Sequence, residues 1–171
     1  NLTGSLILPN SIRQLDYSAF RSVTSLNGTL SLPNSLETIS DDVFYECSNL
    51  TGNLQIPESV EEIGNFAFHQ CRSFTGELIL PKGLKSIGGS AFYNCSGLSG
   101  DLTIPEGITS IPDAFAWCGF DGHLILPHNL IVIGDNAFNS CHFRGELNLP
   151  ETVVSIGNAA FANNLFSGTL V

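Results

Sequence analysis

The stretch from Phe74 to Gly97, F-T-G-E-L-I-L-P-K-G-L-K-S-I-G-G-S-A-F-Y-N-C-S-G, decides how the whole chain folds. Leu78, Ile79 and Leu80 alternate, so a strand there puts two leucines on one side and an isoleucine on the other. Pro81 removes a ladder donor and ends that strand. Leu84 and Ile87 follow at i, i+3 spacing, which fits a turn, a short second strand or one loose helical turn. Gly88 permits a tight reversal. Ala91, Phe92 and Cys95 then fall at i, i+1 and i+4, the spacing of a single helical or 3-10 turn with one buried face. A unit of this length cannot enclose its own apolar side chains and needs copies of itself on either side.

The copies are present along the whole chain. Pro9, Pro33, Pro57, Pro81, Pro105, Pro127 and Pro150 are separated by 24, 24, 24, 24, 22 and 23 residues. Phe20, Phe44, Phe68, Phe92, Phe115, Phe138 and Phe161 keep the same period, and so do Gly4, Gly28, Gly52, Gly76, Gly100, Gly122, Gly145 and Gly168. Three residue types on one period define a repeat architecture. The two shortened places fall in loops, where length changes are tolerated: one between Ile111 and Phe115, where Pro112 stands, and one after Cys118. Stacking such units turns their strands into a parallel sheet and their apolar positions into a continuous core. The expected fold is therefore a repeat solenoid occupying residues 1–171 as one domain, with about seven repeats of 22 to 24 residues. It should be a curved, right-handed superhelix with one short strand per repeat, and with turns and short helical or 3-10 segments on the return side.

The segment I-P-E-S-V-E-E-I-G-N-F-A-F-H-Q-C, from Ile56 to Cys71, resembles the BspA-type leucine-rich repeats of surface proteins from bacteria and some protists. The same pattern recurs, with substitutions, over essentially the whole chain. The resemblance implies a leucine-rich-repeat solenoid. It also implies adhesion or protein–protein contact at the cell surface or outside the cell, in some members with host extracellular proteins. It is specific for the fold and says little about the partner, because solenoids carry many binding functions.

Equivalent positions stack at roughly 4.8 Å, so each position of the repeat is a column that is either a seam or a surface. Three columns and the Phe column should form the core. They are headed by Leu6, Leu8 and Leu15 and are mostly Leu or Ile at every repeat. Cys47, Cys71, Cys95, Cys118 and Cys141 each follow the repeat Phe by three residues. Val23 and Asn164 hold that slot in the end units, so it reads as a packing position. With no C-x-x-C pair a zinc site is disfavoured. Stacked Cβ atoms about 4.8 Å apart are also too far for a disulfide.

Function should lie on exposed columns. On the outward side of the L-x-L strand, the concave side in this class of solenoid, the candidate ligand face comprises Gln55, Glu77, Ile79, Asp101, Thr103, His123, Ile125, Glu146 and Asn148. Exposed Ile79 and Ile125 would be contact points on an otherwise polar face. A second candidate lies on the return side, where Tyr45, His69 and Tyr93 share the slot after Phe and Trp117 stands one slot further on. The plain alternatives are a solvated strand surface for the first face and core-covering shingles for the second.

Catalytic and cofactor motifs are missing: no G-x-S-x-G, phosphate loop or H-E-x-x-H occurs. His123 and His128 stand five residues apart, a weak metal signal, and no metal or cofactor is expected. A net charge of −10, from 6 basic and 16 acidic residues, disfavours nucleic acid and anionic lipid as partners. No apolar run approaches the roughly 18 residues of a membrane span. The expected activity is protein binding without chemistry, with a structural spacer or a glycan-binding surface as alternatives. Sequons occur at Asn1, Asn27, Asn49 and Asn94. The sequence opens at Asn1 and stops at Val171, both mid-unit and without a polar cap. Together with the missing Met, this leads us to expect a fragment of a longer chain, whose open ends would favour self-association.

Overall fold

Neighbouring rungs of the chain pair through short parallel strands and bridges that fall on three ladders. The computed structural model describes residues 3–168. The sequon at Asn1 and the chain ends at Asn1 and Val171 lie outside them. The first ladder is the L-x-L strand. Leu6–Ile7 pairs with Leu30–Ser31, Leu102–Thr103 pairs with Leu124–Ile125, and Gln55 bridges to Ile79 in the same register. The second ladder is the more regular. Gln14–Leu15, Thr38–Ile39, Glu62–Ile63 and Ser86–Ile87 form one four-stranded parallel sheet, and Ser110–Ile111, Val132–Ile133 and Ser155–Ile156 a three-stranded one. The third ladder pairs Arg144–Gly145 with Leu165–Phe166 and bridges Gly52 to Phe74 and Gly76 to Leu98. The architecture is a parallel-strand solenoid of about seven turns, as the repeat requires.

Two details differ from the sequence expectation. A rung carries more than one strand, because Leu84–Ile87 resolves as a turn leading into a strand. The Leu84 N–H donates to the Pro81 carbonyl at 3.1 Å, and Lys85 and Gly88 then donate to Glu61 and Ile63 of the preceding rung, both at 2.8 Å. Gly88 is needed for clearance rather than for a reversal: a Cβ there would lie 2.3 Å from the Asn65 backbone nitrogen.

The return side contains no helical or 3-10 segment among the described residues. Except for Asp113, the residues two before and two after the repeat Phe take left-handed backbone angles, such as Phe66 at +55° and Gln70 at +59°, or Ser90 at +52° and Asn94 at +56°. A helix of L-residues excludes that conformation, which costs roughly 1–2 kcal/mol per residue. Alternating handedness turns the Phe68 N–H to the Ala91 carbonyl at 2.7 Å and the Phe92 N–H to the Ala114 carbonyl at 2.9 Å. The backbone bonds that a helix would close within one rung instead join neighbouring rungs.

The core columns fall where the period places them. Leu54, Leu78 and Leu102 are buried, as are Ile39, Ile63, Ile87, Ile111 and Ile133. Phe44, Phe68, Phe92, Phe115 and Phe138 have no exposed surface, and successive rings of the Phe column stack with centroids 5.2 to 5.7 Å apart. A second set of aromatic side chains, two residues before the repeat Gly, packs edge-on against it, as in Phe74 on Phe68 and Phe120 on Phe115. The five cysteines are free and buried. Their slot is more than packing, because each thiol donates to the carbonyl of the Phe one rung back, as Cys71 does to Phe44 at 3.1 Å and Cys118 to Phe92 at 3.0 Å. Asn164 does the same through Nδ2 to the Phe138 carbonyl at 2.7 Å, which explains why Asn shares a slot with Cys. Burial pushes these thiols up, Cys47 to about 11, and leaves them as inert protonated donors.

Candidate functional site: a recessed face on the first ladder

A two-residue period sends alternate residues of the first ladder to opposite sides. Leu78, Leu80, Leu102 and Ile104 go to the core, which leaves Ile79 and Thr103 outside. The outward column reads Ser31, Gln55, Ile79, Thr103, Ile125 and Asn148, all exposed. Ile79 is 66% exposed and Ile125 46%, although each has a rung on both sides. Their exposure therefore belongs to the face and not to an end of the stack. Thr103 lies between them, and its register partner is Ile125. Together they floor a recess of about 630 Å³, which is continuous through Glu77 and Ile79 with a second recess of about 530 Å³ over Ser31 and Gln55.

Two polar lips border that floor. The first is the column Glu77, Asp101, His123 and Glu146, two residues ahead of the floor column and exposed throughout. Its side chains lean towards the glycine of the following rung. A Cβ at Gly100, whose φ is +80°, would come within 2.8 Å of Glu77 Cγ, so a glycine there meets both the backbone angle and the clearance. Within the column the His123 N–H donates to Asp101 Oδ1 at 2.7 Å, and the His123 ring nitrogen lies 3.3 Å from the same oxygen. The backbone donor first, and the imidazole after it, hold the Asp101 carboxyl below its ordinary range. The second lip follows the repeat Pro and carries Glu58, Lys82, Glu106 and His128. The His128 ring nitrogen lies 3.1 Å from Glu106. His123 and His128 thus face different carboxylates. Among the described residues no group of three or more His, Cys, Asp or Glu side chains is arranged to hold a metal ion.

The nine residues expected on this face all lie exposed on it. Gln55, Glu77, Ile79, Asp101, Thr103 and Ile125 line its two main recesses, and His123, Glu146 and Asn148 line a shallower continuation past Asp101 and Ile125. The return-side group is brought together only in part. Tyr45, His69 and Tyr93 stack ring on ring at 4.7 and 4.9 Å, and Arg21 caps the stack 3.8 Å above Tyr45. Phe66 meets Tyr45 and His69 edge-on. Trp117 stands outside the stack, 53% exposed at a φ of +61°. The three stacked side chains are half-buried. His69 is held below the ordinary imidazole range, by burial first, against the pull of Glu46 and Asp42, and its Nδ1 is buried without a partner. Arg21 and Phe66 were missed in the sequence, although Arg21 occupies the same slot after Phe as Tyr45 does.

The chain is a member of a repeat family whose solenoid generally serves protein binding and is typically non-enzymatic. It belongs to the BspA type leucine rich repeat region family, whose model matches residues 1–119 and 51–167, with six copies in all. No curated protein matches the sequence. Solved structures share the fold. A leucine rich cell surface protein from Faecalibacterium prausnitzii A2-165 aligns at a TM-score of 0.69 and 21% identity, over 94% of this chain and 45% of its own. A leucine-rich repeat protein from Bacteroides ovatus ATCC 8483 aligns at 0.58 and 19%, over 90% and 45%. The Treponema pallidum leucine rich repeat protein (T. pallidum) aligns at 0.57 and 25%, over 90% and 72%. The chain therefore spans about half the length of two of these structures. No helix among the described residues is long and apolar enough to cross a membrane.

Proposed function

We propose that the chain is a recognition module of a secreted or cell-surface protein, and that it binds a protein partner through the first-ladder face without performing chemistry on it. The observation that carries this reading is the pair Ile79 and Ile125, exposed in interior rungs and set either side of Thr103 in a recess between two polar lips. Large apolar groups kept in solvent at positions where other rungs carry Ser, Gln or Asn are a recurring mark of a contact surface. Rigidity supports it too: a sheet held by inter-rung bonds loses little conformational freedom on binding. The surface location rests on the family's company, one structural neighbour being described as a leucine rich cell surface protein.

The test is a protein-binding array probed with the wild-type chain, with Ile79→Glu/Ile125→Glu, and with Tyr93→Ser/Trp117→Ser. Both double variants should keep the wild-type unfolding transition. Ligands should be lost by the first variant and kept by the second. The opposite pattern would move the site to the return side, and ligands kept by both would favour a spacer.

A further inference from the structure

We infer that the segment seated in this recess is cationic, carrying Lys or Arg side chains interleaved with aliphatic ones. The inference rests on the first-ladder face being the binding face, and it adds the chemistry of the partner.

The argument starts from where the chain places its own cations. Of 6 basic residues, Arg13 pairs with Glu37, Lys85 with Glu61 and Arg21 with Asp42. The first two pairs lie beside the second ladder and the third on the return turn. Arg72 is bonded to Gln70 on the return side. Around Ile79, Thr103 and Ile125 stand Glu58, Glu77, Asp101 and Glu106, with Lys82 as the only lysine or arginine lining the two recesses. Arg144 lies further along, two residues ahead of Glu146. Among the described residues no Lys or Arg forms an ion pair with any of those four carboxylates. The ordered partners of Glu58, Asp101 and Glu106 are backbone N–H groups and the two histidines. Lys82 and His128 donate main-chain N–H groups to Glu58 and Glu106, both at 3.2 Å.

The remaining feature is shape. Glu77 and Ile79 are both exposed and two residues apart, so their Cα atoms are about 6.6–6.8 Å apart at the ordinary strand rise, within the span of one long side chain. A lysine or arginine is built to that plan: its methylene stem lies on apolar surface while the charged head reaches past it. A stem over Ile79 or Ile125 places its head at the Glu77–Asp101 lip on one side or at Glu106 on the other. An anionic segment would meet the carboxylates of both lips. A neutral apolar one would cover the floor and leave those carboxylates half-desolvated without a counter-charge.

A displayed library of random peptide segments, selected at low salt on the folded chain and counter-selected on Ile79→Ser/Ile125→Ser, tests this without presupposing a ligand. Recovered segments should be enriched in Lys and Arg next to aliphatic residues and depleted in Asp and Glu. A synthetic copy should bind Glu77→Gln/Asp101→Asn about tenfold more weakly than wild type. It should lose affinity as salt rises, and be indifferent to Glu61→Gln/Glu62→Gln on the second ladder. Segments that need Ile79 and Ile125 but carry no excess positive charge, or that ignore Glu77→Gln/Asp101→Asn, would overturn the cationic partner and leave the binding face standing. Segments indifferent to Ile79→Ser/Ile125→Ser would overturn the face itself. A selection that recovers nothing above the counter-selected background would count against both.

Discussion

The outer surfaces of the first and second ladders are built by one rule, a single outward side chain per rung at each position, yet they dispose of charge in opposite ways. Beside the four-stranded part of the second ladder, each cation meets a carboxylate of the adjoining rung: Arg13 meets Glu37 at 2.8 Å and Lys85 meets Glu61 at 2.5 Å. On the first ladder, Glu77 is followed by Asp101, and the floor between the lips holds isoleucines where its neighbours hold Ser and Gln. The backbone does not explain the contrast, since both ladders are parallel and in register. It lies in what each column repeats. Opposite signs paired across rungs cancel locally, whereas unpaired carboxylates beside exposed isoleucines call for a partner from outside the chain.

The contrast can be broken at its root, because both faces stand on one core. Phe92 is fully buried between Phe68 and Phe115, and Phe92→Ala should cost roughly 3–5 kcal/mol in denaturant unfolding. Both faces should be lost in a single transition. A loss below about 1 kcal/mol would mean that the aromatic column is not the shared support.

A smaller change sharpens the difference in charge. Lys85→Glu sets a like charge beside Glu61 and should destabilise by roughly 0.5–1 kcal/mol at low salt, fading as salt is added. Glu77→Lys, which places a cation beside Asp101, should leave stability unchanged or slightly raised in the same titration. Equal losses from both would show that the two faces do not differ in the way described.

The smallest expected effect separates the return side from both ladders. His69 has its pKa lowered in the fold, chiefly by burial between two tyrosines, so folding favours the neutral ring. The unfolded chain takes up that proton first as pH falls below about 6.5. The stability that His69 contributes is present above that pH and is lost as pH drops towards the folded value. His69→Phe keeps a ring in the stack and should flatten this part of the stability–pH curve, read from thermal unfolding between neutral and mildly acidic pH. An unchanged slope would place the titration elsewhere.

Much of this was legible in the sequence, and the reason is periodicity. Pro, Phe and Gly on one period fixed the rungs, and alternation at Leu78-Ile79-Leu80 fixed which side chains turn outward. The nine face residues could therefore be named before any coordinates. What escaped was the kind of local structure that a hydrophobic pattern does not encode. Ala91, Phe92 and Cys95 have the spacing of a helical turn, but the left-handed Ser90 and Asn94 point the peptide groups at the next rung instead. The spacing reports which side chains are buried and is silent about where the N–H groups go. The cysteine slot was read correctly as buried, while its thiol-to-carbonyl bond became visible only once Phe44 and Cys71 were seen one rung apart. The pairing of lip and glycine, Glu77 over Gly100, likewise joins positions that no single repeat contains.

The account turns on which surface meets a partner, and hydrogen–deuterium exchange of the wild-type chain with and without a segment recovered by selection reads that surface directly. Protection on binding should fall on the peptides covering residues 77–79, 101–103 and 123–125, with 85–87, 109–111 and 131–133 unchanged. Protection confined to the second set, or to the Tyr45–His69–Tyr93 stack, would contradict it.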